Sequence, residues 1–343
     1  MSLPARRRVS IKDVAAAAGV SLQTVSRVVN GAEAVAAPTR ERVLAAIAEL
    51  GYRRNELARN LIQGRSRTLG VICAGHDHQG GRQLNSGITA EAEALGYALL
   101  IREHQADDPV PDDAFVESLL DRQVEGILWM LADTRAEHDS LLRRIVAEHG
   151  VPVVALVRSR SVGVPFSAFD NFSAGLMATR HLIARGRRAI AHIAGPAHSW
   201  DAQERLRGWR EAMREAGLAA DDTRVVNGDW SPEGGARGLS ALLERGPLDA
   251  VFASNDHTAL GAMLAAHRRG LSIPRDVAFV GVDDIQGAGW YLPPLTTIRR
   301  NRVAMGREAV RMLAALIEAR HAGQVLELPD YLHPPELIVR ESA

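Results

Sequence analysis

The chain has 343 residues, 46% of them hydrophobic, and this length predicts two or three domains. No apolar run reaches the roughly 20 residues of a membrane-spanning helix, and no apolar stretch of a secretory signal follows the arginine-rich N-terminus. Cys73 is the only cysteine, which excludes an intramolecular disulfide, so we expect a cytoplasmic protein with no membrane partner.

The net charge of zero is unevenly distributed along the chain. Residues 1–67 hold twelve of the 41 Lys and Arg but only five of the 41 Asp and Glu, which leaves residues 68–343 mildly acidic. A basic segment joined to an acidic one predicts an anionic partner for the first segment alone. Nucleic acid and an anionic membrane surface both meet that description, so charge by itself does not choose between them.

Three short helices are predicted in the first fifty residues. The first ends at Gly19, and Ser21 is a suitable N-cap for the second, which stops at Asn30. Thr39 is predicted to cap the third helix, which ends at Gly51.

The second predicted helix has an apolar stripe and an outward face. The stripe, which must pack on the other two helices, consists of Val25, Val28 and Val29. The residues that point away from it are Leu22, Gln23, Ser26 and Arg27. A helix fits the DNA major groove, where Gln pairs with adenine and Arg with guanine, so this face predicts contacts with bases. The alternative is a small three-helix bundle with no role in DNA binding.

Two stretches carry a resemblance to a known family. VSIKDVAAAAGVSLQTVSRVVNG and the later TRERVLAAIAELGY resemble the helix-turn-helix of the lactose-repressor (LacI/GalR) family. In that family the start of the second helix reads base edges, which implies that Leu22, Gln23 and Arg27 are the readers here. The predicted DNA-binding residues of this region are Ser21, Leu22, Gln23, Thr24, Arg27 and Asn30.

Residues 54–67 are predicted to form a hinge helix and linker. Leu57 and Leu61 lie four residues apart in RRNELARNLIQG, but a helix of about nine residues is marginal alone and orders only against a partner. The resemblance implies the family's hinge helix, in which paired helices enter the minor groove and a leucine, here Leu61, wedges a base step open. Asn55 and Arg59 are predicted to contact DNA with it. The alternative is a linker helix whose leucines dock on the core.

From residue 68 onward, short apolar runs alternate with amphipathic helices. The predicted strands are LGVICA, YALLIR, GILWML, VPVVALV, AIAHIAG, DAVFAS and VAFVGVDD. This alternation is typical of parallel sheets with helices on both faces. There are too many units for one sheet, and a break near residues 160–170 predicts two similar lobes with a ligand cleft between them.

The predicted fold is therefore α/β: a three-helix helix-turn-helix domain and a hinge helix, then a two-lobed core of two parallel-sheet subdomains. The helix-turn-helix domain covers residues 1–53 and the core covers residues 68–343. The predicted lobe boundaries are about 68–168 with 302–328 for the first lobe, and about 169–298 with 329–343 for the second.

Polar and aromatic residues near predicted strand ends are candidates for the cleft. The polar ones are Arg205, Asn255, Asp256, Asp283 and Asp284. Aromatic faces for the apolar side of a polyhydroxylated ligand are offered by Phe169 and Trp230. Taken singly, Asp or Asn after a strand is more often a cap or turn residue, and only the joint pattern favours a site.

The resemblance extends over the core, and spans about residues 9–340 in all. AGPAHSWDAQERLRGW, GDWSPEGG, ASNDHTALGAM, GVDDIQ and YLPPLTTI resemble the family's sensor core, which is similar to periplasmic sugar-binding proteins. The ligand positions that this resemblance implies are Leu84, Phe169, Arg205, Trp230, Asn255 and Asp283.

Three positions depart from the family's lactose-binding pattern. That pattern has an acidic residue at the position of Val157, and a glutamine and an aromatic residue at those of Arg300 and Arg302. Further arginines that could face the cleft are Arg82 and Arg158. Because arginine forks suit carboxylate or phosphate, we add Arg300 and Arg302 to the ligand set and expect a sugar or a sugar derivative, including an acidic or phosphorylated one. The alternative is that the arginines pair with Asp170 or Asp283 and leave no net charge.

No catalytic group, cofactor or metal is predicted. No G-x-G-x-x-G follows a strand, and neither a Walker A loop nor a G-x-S-x-G elbow is present. His76, Asp77 and His78 lie on a predicted turn, and two histidines there fall short of a metal site.

The sequence predicts a DNA-binding transcriptional regulator, a repressor that binds a palindromic operator and responds to a ligand in the cleft as inducer or corepressor. A homodimer is expected, since the leucine-heptad tail of the family's tetramers does not follow LIVRESA. The alternatives are a solute-binding protein without a regulatory role, a corepressor-dependent regulator of a non-sugar metabolite, and a sugar-processing enzyme that uses the cleft carboxylates.

Overall fold

The computed structural model of the chain describes residues 9–29, 35–52, 64–74, 79–104, 113–131, 136–157 and 163–343. The chain divides into two compact units, Met1–Ser66 and Arg67–Ala343. The first unit is helical and the second is α/β. In the described ranges no helix is both long and apolar enough to cross a membrane.

Three helices form the described part of the first unit: α1 (Ile11–Ala18), α2 (Leu22–Val29) and α3 (Ala37–Leu50). Ser10 and Asp13 form a capping box at the start of α1, in which Ser10 N donates to Asp13 Oδ2 at 2.8 Å and Asp13 N donates to Ser10 Oγ at 3.4 Å. Gly19 ends α1 with a φ of +64°, a left-handed conformation that glycine adopts without steric cost. The predicted end of α1 is confirmed.

The third helix begins earlier than the sequence predicts. Thr39 does not cap it: the helix starts at Ala37, and Thr39 N already donates to Ala36 O at 3.0 Å within the first turn. Pro38 explains the difference, because proline has no N–H to leave unpaired and its fixed φ suits a first turn. The prediction for Thr39 is therefore wrong, whereas the helix end at Gly51 is confirmed.

A small apolar core holds the three helices together. Val14, Val25 and Val43, one from each helix, are fully buried, and burying a valine contributes about 1.5–3 kcal/mol. Val28 is buried beside them and Val29 is half-buried. The apolar stripe predicted for α2 is thus observed, and it fixes which face of α2 is left outside the core.

The first lobe of the second unit is a four-stranded parallel sheet in the order β2-β1-β3-β4. Strands β1, β3 and β4 are buried along most of their length, as expected for a parallel sheet covered on both faces, whereas the edge strand β2 is largely exposed. The elements are β1 (Thr68–Ala74), α4 (Gln79–Ala94), β2 (Ala98–His104), α5 (Asp113–Leu120), β3 (Gly126–Met130), α6 (Ala136–His149) and β4 (Val153–Ala155).

The second lobe is a six-stranded sheet in the order β12-β10-β9-β8-β6-β7, parallel except for the β10–β12 pair. Helices alternate with strands along the chain from β6 to β9, as the βαβ pattern predicts. The elements are α7 (Asn171–Ala184), β6 (Ile190–Ala194), α8 (Trp200–Glu215), β7 (Val225–Asn227), α9 (Pro232–Arg245), β8 (Ala250–Ala253), α10 (Asp256–Arg268), β9 (Ala278–Asp283), β10 (Thr296–Arg299) and β12 (Glu336–Ile338).

Crossover segments join the two lobes. Strands β5 (Ser167–Phe169) and β11 (Tyr331–His333) form a separate parallel pair. Helix α11 (Arg302–His321) follows the second-lobe strand β10 but packs against α4 and the first-lobe sheet. Gly87 on α4 permits this packing, because a Cβ there would overlap the carbonyl oxygen of Val303. The start of α11 therefore lies where one lobe passes into the other.

All seven predicted strands are present, and five strands were not predicted: β5, β7, β10, β11 and β12. Each of these has only three or four residues and lacks a long apolar run, so its extended conformation is fixed by pairing with a neighbouring strand. The predicted two-lobed α/β architecture is confirmed, with β12 as the antiparallel exception.

Candidate functional site

The face of α2 opposite its apolar stripe is exposed. Leu22 is 45% exposed, and Gln23 and Arg27 are exposed as well. An exposed leucine at the start of a short helix, with an amide beside it and a guanidinium one turn later, can make both apolar and hydrogen-bonding contacts with base edges. The structure thus brings the three predicted base readers onto one surface.

Two other predicted DNA-binding residues use their polar atoms to start α2. Thr24 N donates to Ser21 Oγ at 3.1 Å, and the hydroxyl oxygens of Ser21 and Thr24 lie 2.9 Å apart. This is the expected N-cap arrangement, and it fixes the direction in which the first turn of α2 points. Ser21 is exposed and Thr24 is half-buried.

Several predicted residues lie outside the described ranges. In the first unit these are Asn30, Asn55, Arg59 and Leu61, together with most of the predicted hinge helix. In the second unit these are His76, Asp77, His78 and Arg158. Within the described ranges, no group of three or more His, Cys, Asp or Glu is arranged to hold a metal ion.

Arg205, on α8, is the most deeply buried of the candidate ligand residues, at 1% exposure. Its Nε donates to Asn171 Oδ1 at 2.9 Å, and its Nη1 donates to the carbonyl oxygen of Ser254 at the end of β8. Its Nη2 lies 3.8 Å from Asp201 Oδ2, and its guanidinium stands over the Trp230 ring at 5.3 Å. The side chain is therefore held rigidly between three elements of the second lobe.

Arg300 and Arg302 converge on Asp283. Arg302 Nη2 donates to Asp283 Oδ1 at 2.8 Å, and Arg300 Nη1 lies 3.6 Å from the same oxygen. Arg300 Nη2 lies 3.5 Å from Asp201 Oδ2, and its guanidinium stands over the Phe169 ring at 4.9 Å. Because β9 carries Asp283 and α11 carries Arg302, the shortest of these ion pairs joins a strand of the second lobe to a helix that packs on the first.

The charges in this cluster shift one another's pKa values. Burial raises the pKa of Asp283, but Arg302 and Arg300 outweigh that effect, and its pKa lies below the ordinary value. Burial, reinforced by Arg302, lowers the pKa of Arg300 to about 10. Burial also lowers the pKa of Arg205, against the attraction of Asp283 and Asp201. With this pKa, Arg300 remains charged at neutral pH.

Asn255 and Asp256 organise the loop ends around the cluster. Asn255 caps α10 by accepting from Thr258 N at 2.7 Å, and its Nδ2 donates to Trp230 O at 3.0 Å. Asp256 is buried and accepts from Ile285 N at 2.9 Å. Burial and the nearby Asp283 raise the pKa of Asp256 to about 8, so this carboxyl is largely protonated at neutral pH. The capping role that the sequence allowed for Asn255 is observed.

Left-handed backbone is found at three site positions where the residue is not glycine. Trp230 has a φ of +67°, Asp283 of +118° and Asp284 of +50°. Such conformations cost of order 1–3 kcal/mol each and persist only when the surroundings enforce them. The Trp230 indole ring packs closely on Gly195, where a Cβ would overlap the ring. The ring thus lies directly on the end of β6.

The remaining candidates occupy more peripheral or more buried places. Leu84 is half-buried and packs against the apolar core that contains Phe169, which is itself buried beneath Arg300. Val157 is half-buried in the first lobe, and Arg82 is exposed. Asp170 caps α7, accepting from Ser173 N at 2.9 Å and Ser173 Oγ at 2.6 Å. The arginines pair with Asp283 and Asp201.

Sequence reasoning missed Asp201, Asn171 and Ser254. Asp201 stands four residues before Arg205 on α8, and an acid at that spacing from an arginine is a recognisable helical pair. Asn171 and the carbonyl of Ser254 had no such signal, since their contact with Arg205 depends on how α7 and β8 pack around α8.

Two family models match the chain. Residues 10–55 match the model for bacterial regulatory proteins of the lacI family. Residues 66–333 match the model for periplasmic binding proteins and the sugar binding domain of the LacI family.

Individual proteins are similar over nearly the whole chain. The HTH-type transcriptional repressor PurR of Haemophilus influenzae (strain PittEE) is 33% identical over 334 residues, which is 97% of this chain and 98% of that protein. The structure of the lac repressor dimer bound to operator and the anti-inducer ONPF matches with a TM-score of 0.81 at 32% identity, over 98% of this chain and 99% of that chain. The structure of a transcriptional regulator CelR–cellobiose complex matches with a TM-score of 0.70 at 32% identity, over 98% and 100%.

Proposed function

This chain belongs to the LacI family of bacterial transcriptional regulators, and we propose that it is a repressor that binds a palindromic operator as a homodimer under the control of a small molecule. The observation that carries the proposal is the exposed face of α2 on a strongly basic unit. Leu22, Gln23 and Arg27 would read base edges in the major groove, and the other basic residues of this unit would contact phosphates.

The part of the first unit that lies outside the described ranges completes the proposed DNA interface. We assign residues 1–53 to the helix-turn-helix and residues 54–67 to a hinge helix and linker. Asn30, Asn55, Arg59 and Leu61 would contact DNA, with Leu61 as an apolar wedge in the minor groove. A hinge helix this short would order only when two copies and a deformed duplex supply partners for it.

The second unit, residues 68–343, is the proposed sensor. Arg205, Trp230, Asn255 and Asp283 lie around the carboxyl ends of the second-lobe strands, where ligands of open α/β sheets bind. CelR has been solved with cellobiose, and the second unit matches the model for the sugar binding domain of the LacI family, which supports a sugar or sugar derivative as the effector here. Leu84 and Phe169 would line the apolar side of the site.

The relatives of this chain favour a regulatory role over a catalytic one. Its relatives are transcriptional regulators rather than enzymes, and we propose that this chain has no catalytic activity of its own. A regulator must be where the chromosome is, so we place the protein in the cytoplasm. The effector would act by its differential affinity for the DNA-binding and non-binding states, as an inducer or as a corepressor.

The test is a selection from a random DNA pool with the full-length chain. We expect enrichment of a palindromic site whose half-sites are related by a two-fold axis. The double variant Gln23→Ala/Arg27→Ala should lose that enrichment, whereas Arg307→Ala/Gln324→Ala, which removes the same side-chain types from exposed positions of the second unit, should retain it. Failure to enrich any palindrome, with or without a mixture of small metabolites, would overturn the proposal.

A further inference from the structure

The buried charges of the candidate ligand site do not balance. We call Arg205, Arg300 and Arg302 the arginine cluster; each is at most 15% exposed as a side chain. The carboxylates that approach them are Asp201 and Asp283. Three positive charges thus face two negative ones among the described residues of this part of the core.

Arg300 is the least satisfied member of the arginine cluster. Its closest carboxylate oxygens are at 3.5 Å (Asp201) and 3.6 Å (Asp283), longer than the 2.7–2.9 Å typical of a charge-assisted hydrogen bond. Its Nε is buried and has no hydrogen-bond partner among the described residues. A buried guanidinium in this condition carries an uncompensated desolvation cost, which an incoming anion would remove.

The other nearby acids are already engaged. Asp284 accepts from Arg299 Nε at 2.8 Å and from Arg340 Nη2 at 2.6 Å, and Glu204 pairs with Arg207 at 2.8 Å. The two further acids of the site are Asp170, which caps α7, and Asp256, which is largely protonated at neutral pH. None of these carboxyls supplies the missing negative charge to Arg300.

The position of Arg302 adds to the imbalance. It is the first residue of α11, a helix of 20 residues whose first turn contains no acid. The positive end of the helix dipole disfavours a cation there and favours an anion. Asp283 is the one carboxylate that hydrogen-bonds Arg302 among the described residues, and Arg300 approaches the same oxygen.

We propose that the effector is an anion, a sugar derivative whose carboxylate or phosphate group binds Arg300 and Arg302 while its neutral part lies against Trp230 and Arg205. This inference rests on the proposed function, because it takes the cleft of the second unit as the effector site. The acidic group would replace Asp283 as the hydrogen-bond partner of Arg302. It would also give Arg300 the close, bidentate contact that this guanidinium lacks. Arg300 and Arg302 are then specificity-determining residues that select acids over uncharged sugars.

The test compares matched ligands on the full-length chain by thermal shift and calorimetry at constant ionic strength. The probes are glucose, gluconate and glucose 6-phosphate, galactose and galacturonate, cellobiose and cellobionate, with inorganic phosphate and sulfate as simple anions. We expect at least one sugar acid or sugar phosphate to bind tenfold or more tightly than its neutral counterpart and than either simple anion. Comparing the affinities of the sugar acids with that of the sugar phosphate then shows which of the two acidic groups the site prefers.

Substitutions in the arginine cluster test whether the acid binds there. Arg300→Gln and Arg302→Gln should each weaken binding of the acid by tenfold or more, and should weaken binding of the neutral sugar by a clearly smaller factor. Arg307→Gln removes an exposed arginine from the same helix and should bind the acid as the unaltered chain does. A cooperative thermal unfolding transition in each of the three variants without ligand shows that each is folded.

Three outcomes would overturn the inference: no acid binds better than its neutral counterpart, simple anions bind as tightly as any acid, or both cluster variants keep full affinity for the acid. DNA selection separates this failure from failure of the proposed function. If a palindrome is enriched but neutral sugars are preferred, only the anionic effector is wrong; if no palindrome is enriched, the proposed function itself is wrong.

Discussion

Arg27 stands on the exposed side of α2, one turn beyond Gln23. An arginine that forks onto a guanine contributes about 1–3 kcal/mol of discrimination at one base pair. Arg27→Ala should therefore weaken binding to the selected operator and relax preference at a single position of each half-site. Fluorescence anisotropy on operators with every substitution at each position measures this, with Arg307→Ala as control. An equal loss on all sequences would make Arg27 a phosphate contact instead.

Asp283 compensates two buried arginines at once. Asp283→Asn keeps the shape of the side chain but leaves Arg300 and Arg302 without this counter-charge, so we expect the free energy of unfolding to fall by about 3 kcal/mol. Urea denaturation measures the change. Asp222→Asn is the matched control, because the Asp222–Arg210 pair is exposed and contributes less than about 1 kcal/mol. If both variants lost a similar free energy of unfolding, the burial of the Asp283 ion pairs would not explain the loss.

Asp256 makes the stability of the second unit depend on pH. Its pKa is raised from 3.8 to about 8, so the folded chain binds more protons at this site than the unfolded chain between those values. The contribution of Asp256 to stability is therefore full below the unfolded pKa and is lost as pH rises toward about 8.

Replacement by asparagine tests that dependence. The decline in the free energy of unfolding between about pH 5 and about pH 8 should be smaller in Asp256→Asn than in the unaltered chain, whatever the absolute stability of the variant. Because the two proteins share all other titrating groups, the effect of those groups on the pH dependence cancels when the two slopes are compared. Parallel pH profiles would show that Asp256 ionises normally.

At the scale of elements, the packing of α7 on α8 places Arg205. A Cβ at Gly175 on α7 would overlap the carbonyl oxygen of Arg205, and one at Gly208 on α8 would overlap that of Phe172. The two helices approach closely only because both positions are glycine. The location of the Arg205 guanidinium therefore depends on two residues that carry no chemistry.

Gly175→Ala should separate these helices. Overpacking of a close contact costs about 1–3 kcal/mol, and we expect a loss of this size in urea denaturation together with weaker effector binding, since Arg205 moves with α8. Gly81→Ala on α4 is the control: it has open space around its Cβ and should leave stability unchanged or raise it. If Gly175→Ala matched that control, the close approach of the helices would not be needed.

At the scale of the whole molecule, the proposed function needs many phosphate contacts and two copies of the chain. The logarithm of the operator affinity should fall linearly with the logarithm of salt concentration, with a slope of about −0.9 for each phosphate neutralised. A duplex with one half-site should bind about 100-fold more weakly than the palindrome. On the palindrome, binding of the first subunit holds the second subunit at a high effective concentration near its half-site. Anisotropy titrations across salt concentrations check both, and a flat salt dependence would contradict the phosphate contacts.

The sequence by itself determined the class of each part of this protein. Helical periodicity and caps located α1 and α2 and separated the apolar stripe of α2 from its exposed face, because those features depend on residues three or four apart. Apolar runs likewise located seven of the twelve described strands. The start of α3 was misplaced by three residues, because a proline in the first turn prevailed over the nearby threonine.

Only the tertiary structure decided how the ligand candidates meet. Arg205, Asp283 and Arg302 are spread over about a hundred residues, and they come together because parallel strands end at one edge of a sheet and α11 begins there. Whether the arginines were neutralised could not be read from composition, since it depends on which carboxylates lie within a few ångströms and which are engaged elsewhere as caps or partners. Coulomb interactions depend on distance in space, and the order of residues along the chain does not give that distance.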